Sequence, residues 1–539
     1  MKKWSVVVIL GAAQFVMVLD GTVMNVSIST VVEDLDTTVA AMQGAITFYT
    51  LTMASVMLLG AKLGDVIGRR RAFVIGSCIY ALGSLITALS PTFVFLFLGW
   101  SIIEGLGAVL VIPAIAALVA DNYQGHERIT AYAVIGAVSG AAVAAGPLIG
   151  GFVTTYFSWR YVFVAEVVIM AVVVLCAKMV TDATPRQSVR IDLLSVLLSA
   201  AGLIFVVFGM LQSKTWGWIV PLASPEIGGV EIAPLGISLT AWLIVLGAAL
   251  LYAFAKRQSW LVRHERPPLV HMQMFGITQL RSGLGVLGAQ YAVTAGLFFM
   301  VPVYLQMSLG LDALETGIKI FPLSISLILF SIVGTGLSRV WSPRRIVRAG
   351  QLVLVVSAVL LLGSVTPELR SGIFAVGMFL AGAALGLLAS QIGNVNMSAV
   401  TEKQTGEVGG LQGVFQNLGS SLGTALIGSI LVGSLATTFA AGVASSSLPE
   451  EARTLVSEAT ERGVAIVPTA DVDEIAEEAG LSPADADALS EIYRESQLSS
   501  LRVAFFGLIL ITVFSLAISR GIPTAVAPQS KSPTAPARK

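Results

Sequence analysis

Apolar runs of about 18–25 residues, each long enough to cross a bilayer as a helix, recur from one end of this 539-residue chain to the other. In hydrocarbon every backbone N–H and C=O must be satisfied within the protein, so only helices or a closed barrel can span. Runs of this length select helices. The approximate spans are 5–30, 42–62, 72–90, 93–118, 130–153, 161–181, 192–212, 236–255, 283–307, 316–337, 345–364, 371–397, 408–434 and 500–519, about fourteen in all. The expected fold class is an all-α polytopic membrane protein. Composition agrees, with 55% hydrophobic and 12% charged residues and a mean hydropathy of +0.86. A formal net charge of +0 supplies no field for a nucleic acid, so no nucleic-acid partner is expected. Membrane lipids are the partner that composition demands.

Lys and Arg gather in alternate connectors, which sets orientation. With the N-terminus inside, the inside connectors hold Lys62, Arg69, Arg70, Arg71, Arg128, Lys178, Arg186, Arg190, Lys256, Arg257, Arg263, Arg266, Arg281, Arg339, Arg344, Arg345, Arg348 and Lys403. The short outside connectors and adjoining helix ends hold only Arg160, Lys214, Lys319 and Arg370. Both termini are therefore expected in the cytoplasm, with the protein in the cell (inner) membrane. Met1-Lys2-Lys3 resembles the start of a signal peptide, but no small-residue cleavage site follows, so the first run is expected to be retained. Cys78 and Cys176 lie inside apolar runs and are expected to act as small hydrophobes without a disulfide. His126, His264 and His271 have no metal-ligand spacing.

Connector lengths divide the chain into an N-terminal six-helix half over 1–185, two extra linking helices over 186–260 and a C-terminal six-helix half over 261–520, followed by a disordered cytoplasmic tail over 521–539. A weak internal repeat supports the halves: Gly60-Ala61-Lys62-Leu63-Gly64-Asp65-Val66-Ile67-Gly68-Arg69-Arg70-Arg71 has a degraded copy in Gly336 to Arg345. Many transporters are built from such repeats, with the substrate site between them. The acidic connector 436–498 falls outside and reads as a solvated spacer. Within it, Leu481, Ala484, Ala488 and Ile492 suggest short amphipathic helices.

Three acids lie inside otherwise apolar runs: Asp20, Glu104 and Glu166. An ionisable group at membrane depth costs roughly 2.5–3.5 kcal/mol on insertion scales and marks a cavity, a partner or a proton path. Burial and mutual repulsion should keep at least one protonated until it opens to water. Gly60, Gly64 and Gly68 permit a tight turn and close helix approach, and Asp65 can cap a helix or pair with an arginine. In the fifth run, Gly136/Gly140 and Gly146/Gly150 form small-residue pairs, and Pro147 should kink the helix. Met17, Met24 and Asn25 near Asp20, with Gln290, Tyr291, Gln391 and Asn394, are candidate cavity residues. Without a nucleophile–base pair, metal set or phosphate cradle, an enzyme is not expected.

These passages together resemble the major facilitator superfamily, and more closely its fourteen-span branch of drug:proton antiporters. Gly60 to Arg71 is similar to the superfamily's loop between helices two and three. Leu19-Asp20-Gly21-Thr22-Val23-Met24-Asn25-Val26 resembles the branch's first-helix motif. Gly136-Ala137-Val138-Ser139-Gly140 with Gly146-Pro147-Leu148-Ile149-Gly150-Gly151 resembles the exporters' fifth-helix motif. Trp159-Arg160 and the stretch around Tyr304-Leu305-Gln306, Gly310, Gly317 and Pro322 match elsewhere. The resemblance implies a major facilitator fold of two six-helix halves plus two central helices, and a conformational latch built from Gly60, Gly64, Asp65, Gly68, Arg69 and Arg70. It also implies an exporter helix shaped by Gly140, Gly146, Pro147, Gly150 and Gly151.

One departure stands out. The family usually carries an arginine in helix four, followed three residues later by glutamine. Here Ser101 and Glu104 occupy those places, and Glu166 stands where asparagine is frequent. The expectation is a proton-coupled multidrug efflux antiporter, a determinant of antibiotic resistance, exporting amphipathic, cationic compounds by alternating access. It would work as a monomer with no cofactor, driven by the proton gradient. Asp20, Glu104 and Glu166 would handle protons or the cation. Two rivals are an exporter of an endogenous lipid or metabolite, and a non-transporting sensor or assembly partner.

Overall fold

The computed structural model describes residues 4–123, 125–182, 191–221, 226–227, 230–231, 233–400, 405–446, 448–450, 453, 466–469, 472, 476 and 481–524. The expected tail from 525 onward and most of the acidic connector lie outside them. The described chain is helical except for one antiparallel pairing of Glu226–Ile227 with Val230–Glu231. Thirteen helices are long and apolar enough to cross a membrane, and the bent fifth span brings the number to fourteen.

The first half comprises α1 (Ser5–Val26), the short α2 (Ile28–Asp34), α3 (Val39–Ile67), α4 (Arg69–Ala88), α5 (Phe93–Leu96), a π-helical stretch Phe97–Glu104, α6 (Gly105–Asn122), α7 (Gly125–Tyr156) and α8 (Arg160–Cys176). Then come α9 (Leu193–Trp216) and α10 (Leu239–Arg263). The second half holds α11 (Thr278–Pro302), a π-helical stretch Val303–Ser308, α12 (Ala313–Leu337), α13 (Pro343–Ser364), α14 (Ser371–Met397), α15 (Thr405–Ala444) and α16 (Pro483–Ile518). Local chemistry explains several starts. Thr38 accepts from the Ala41 N–H, Asp312 and Glu315 form a capping box at α12, and Ser482 with Pro483 opens α16. Pro147 cannot donate to the Val143 carbonyl, and α7 bends by 42° between Val143 and Ala145.

The halves meet along two seams, α7 against α12 and α3 against α15. The repeat appears in hydrogen bonding. Arg70 Nη1 donates to the Val180 carbonyl just beyond α8, at 3.5 Å. In the second half Arg344 Nε donates to the Ile522 carbonyl just beyond α16, at 2.7 Å. The linking helices α9 and α10 pack on each other, Gly202 facing Gly247, and α9 lies against α3 and α15. At one end of that pair Arg257 donates twice to Asp192, both bonds at 3.0 Å. The guanidinium holds the Asp192 carboxyl down at about 2.

The connector departs from expectation. Both flanking helices run into the range 436–498: α15 continues to Ala444 and α16 begins at Pro483. The two prolongations pack together, with Phe439 edge-on to Tyr493 and Gly442 against Ile492. Leu448, Ile466, Val472, Ala476, Leu489 and Tyr493 are buried and continuous with the main core, so the described part of the connector is packed and is not a solvated spacer. Ala484 and Ala488 are exposed, and the buried face of this stretch runs through Ala486, Leu489 and Tyr493.

Candidate functional site

Inside the first half, Asp20 from α1, Glu104 from the π-helical stretch and Glu166 from α8 converge. Each is at most 1% exposed, and one carboxylate oxygen from each lies within 4.8 Å of the others. Trp100 Nε1 donates to both Asp20 oxygens, at 2.9 and 3.0 Å. The Trp100 ring stacks on Tyr49 with centroids 4.9 Å apart, which fixes the indole's direction. Ser84 Oγ lies 3.0 Å from Glu104 Oε2 and 3.1 Å from Glu166 Oε2.

Two features of helix geometry make this convergence. The π-helical stretch Phe97–Glu104 adds a residue to its turn, and Trp100, Ser101 and Glu104 are all buried. Gly83 of α4 lets Glu104 come close: a Cβ there would sit 2.5 Å from the Glu104 nitrogen. Gly107 does the same against Tyr80, where a Cβ would meet the Tyr80 nitrogen at 2.4 Å. Ser101, at the family's arginine position, donates to the Ala45 carbonyl at 2.8 Å and ties this helix to α3.

The electrostatics restrict the charge state. At separations up to 4.8 Å, each pair of full charges repels by about 3–4 kcal/mol at an effective dielectric of about 20. Three carboxylates would therefore be self-repelling by about 10 kcal/mol before any burial penalty. Ser84 has one proton to give, yet touches two carboxyls. The second contact is a hydrogen bond only if that carboxyl carries a proton itself. The trio also has the geometry to offer a converging oxygen from each carboxyl to a cation. A proton needs only one.

Around the latch motif, Gly60 permits close approach, since a Cβ would lie 2.2 Å from the Val109 carbonyl oxygen. Gly68, at φ 101°, makes the turn. Gly64 has ordinary space, its nearest neighbour being 3.9 Å away. Asp65 lies in the last turn of α3; its side chain, and with it the expected cap or arginine pair, is outside the described residues. Arg69 pairs with Asp121, at 2.8 Å, and the Arg70 N–H donates to Asp182.

In α7, a Cβ on Gly146 would meet Thr22 Oγ1 of α1 at 1.8 Å, and Gly150 lies against Val23. Gly151 faces the Ala313 carbonyl of α12, while Gly317 of α12 faces the Pro147 carbonyl. Gly140 touches only the tip of Ile328 at 3.9 Å, and Gly136 has nothing within 4 Å, so close approach is confined to the second glycine pair. Nearby, Gln306 joins the halves: it donates to the Val26 carbonyl at 2.7 Å and accepts from the Ser29 hydroxyl. Leu314 N–H donates to Thr155 Oγ1 at 3.2 Å. This end, away from the basic connectors, is closed.

The candidate cavity residues are scattered. Met17 and Met24 are packed in the main core. Asn25 donates to its own helix at Gly21. Gln391 is engaged with the Gly334 carbonyl at 3.0 Å, joining α14 to α12. Gln290 is buried, Tyr291 half-buried and Asn394 exposed. Trp100, Ser84, Gly83 and Tyr49 were not legible as site residues. Ser84, a polar side chain in mid-span, was the one available signal.

The family model described as Major Facilitator Superfamily matches residues 10–424. The puromycin resistance protein pur8 of Streptomyces alboniger is 30% identical over 440 residues, covering 80% of this chain and 82% of that protein. The tetracenomycin C resistance and export protein of Streptomyces glaucescens is 27% identical over 511 residues, 94% of this chain and 88% of that one. Among solved structures, a bacterial homolog of the human lysosomal transporter Spinster, inward-facing and unoccupied, superposes with a TM-score of 0.59. The identity is 16%, over 97% of this chain and 98% of that one, a likeness of fold.

Proposed function

Since the chain belongs to the Major Facilitator Superfamily, and is thus a multi-pass membrane transporter and not an enzyme, we propose that it is a proton-driven antiporter. Its cargo is amphipathic, cationic small molecules, which it moves outward by alternating access. The relatives carry names of antibiotic resistance and export, which supports export. The basic end is cytoplasmic by the Lys/Arg bias, and the closed end then faces outward.

The observation that carries the coupling is the carboxyl trio with a single serine hydroxyl shared between two of its members. A coupling group needs different proton affinities in the two facing states. A trio that cannot hold three charges when closed, and can when opened to water, meets that requirement. The arriving cation supplies the positive charge that a leaving proton removes.

The test is proton release on substrate addition to the purified protein. Release is expected from the wild type, and is reduced in Asp20→Asn and in Glu104→Gln. Unchanged release and unchanged transport in both variants would sink the assignment.

A further inference from the structure

We propose that the basic end of the α13–α16 pair is a binding site for an anionic phospholipid, its phosphate held by Arg344, Arg345, Arg348 and Arg520. The inference is independent of the transport reading. It starts from a difference between the two copies of the repeat. In the first half Arg69 pairs with Asp121, and the Arg70 N–H meets Asp182. In the second half the sequence holds no Asp or Glu between Glu315 and Glu368, nor any after Glu495. Among the described residues, none of the four guanidiniums meets a carboxylate.

The arginines are gathered and oriented by the protein itself. Arg344 Nε donates to the Ile522 carbonyl at 2.7 Å, and its Nη2 to the Arg520 carbonyl. One turn further on, Arg348 Nε donates to Ser519 Oγ at 3.2 Å. Both therefore reach the end of α16, where Arg520 is exposed. A guanidinium carries five N–H donors, so these bonds leave several on each. The side chain of Arg345 is exposed and has no protein partner among the described residues. The carbonyl end of α16 answers only about half a charge, against four that are always present. The cluster lacks an anion, and phosphate oxygens suit paired guanidinium donors.

Below the arginines the surface turns apolar. Arg345, Arg348, Leu352, Val356 and Val359 fall on one face of α13 at helical spacing, and the three apolar residues are exposed. On α16 the exposed Phe506, Leu510 and Val513 lead in the same way to Arg520. Gln351 Nε2 donates to Ser515 Oγ at 2.7 Å, holding the two helices side by side. Trp341 is exposed beside the arginines, where indoles sit at headgroup level. Basic sites between spans bind phospholipid headgroups, and here two apolar stripes run on from the charge to take the acyl chains. Free phosphate would leave those stripes unused.

The experiment is native mass spectrometry of the full chain in detergent, with phosphatidylglycerol or phosphatidylcholine added in increasing amounts. The wild type should hold phosphatidylglycerol about tenfold more tightly. The double variant Arg345→Gln, Arg348→Gln should lose that preference, with thermal melting reporting that it folds. Arg344 is left in place because it also caps α16. Arg71→Gln, which removes an exposed arginine of the first half, should leave the preference unchanged. Equal affinity for the two lipids, or an unchanged preference in the double variant, overturns the proposal. So does an equal loss in Arg71→Gln, which would reduce the effect to general surface charge. Displacement of the lipid by inorganic phosphate also overturns it, assigning the guanidiniums to a free anion.

Discussion

Trp100 shows how much at this site depends on one side chain. Its indole N–H is the donor given to Asp20, and its ring is held by the stack on Tyr49. Trp100→Phe keeps the stack and removes the donor, so it should cost about 1 kcal/mol in stability and impair transport more than its melting temperature suggests. Chemical denaturation alongside vesicle transport would separate the two. Gly83→Ala should be worse, because the new methyl would press on the Glu104 backbone. Overpacking of this kind costs about 1–3 kcal/mol, while Gly21→Ala, with nothing within 4 Å, serves as the control in the same thermal melts. The acids themselves were legible, since a carboxyl in an apolar run is conspicuous. Their convergence was not. It depends on a π-helical stretch that no periodicity announces and on Gly83, one glycine among the 53 in the chain.

At the level of helices, glycine spacing proved an ambiguous signal. Gly136/Gly140 and Gly146/Gly150 have the same pattern, but only the second pair meets another helix closely. The difference lies on the partner: Thr22 and Val23 of α1 approach one pair, and nothing comparable approaches the other. Gly136→Ala should therefore be neutral or stabilise by up to about 0.5–1 kcal/mol through helix propensity, whereas Gly146→Ala should destabilise, as a detergent melting series would show. The linking pair α9–α10 yields a pH expectation. The Asp192 carboxyl is held near 2 by Arg257, so its contribution is fully present above the unfolded value of about 3.9. It fades as pH falls through that value toward 2. Asp192→Asn should remove it, an effect of about 1 kcal/mol or less for a partly exposed pair, and should flatten the acid limb of stability measured between pH 5 and 2.

Across the whole molecule, the fourteen-span plan and two-half organisation were readable because hydrocarbon tolerates so few alternatives. The conformational state was not, because it resides in contacts between distant segments. The closed end depends on Gln306 reaching the Val26 carbonyl and on Gly317 lying against the Pro147 carbonyl. A larger residue at the second contact cannot be housed without parting the halves. Gly317→Leu should shift the population toward opening at that end. In a background lacking Cys78 and Cys176, a cysteine at Ser29 should then be modified faster by a membrane-impermeant maleimide.

The prolongations of α15 and α16 have a mechanical consequence. The prolongation of α15 to Ala444 adds about 15 Å and that of α16 from Pro483 about 25 Å beyond the span ends at 1.5 Å per residue, and Phe439 on Tyr493 braces the pair. One of them, α15, is also the helix that packs against α3 at the seam. A rigid arm fixed to one moving body magnifies a tilt at its tip, like the needle of a gauge. A fluorophore on that tip, paired with one on the α4–α5 turn of the other half, would read each rocking cycle as a change in distance.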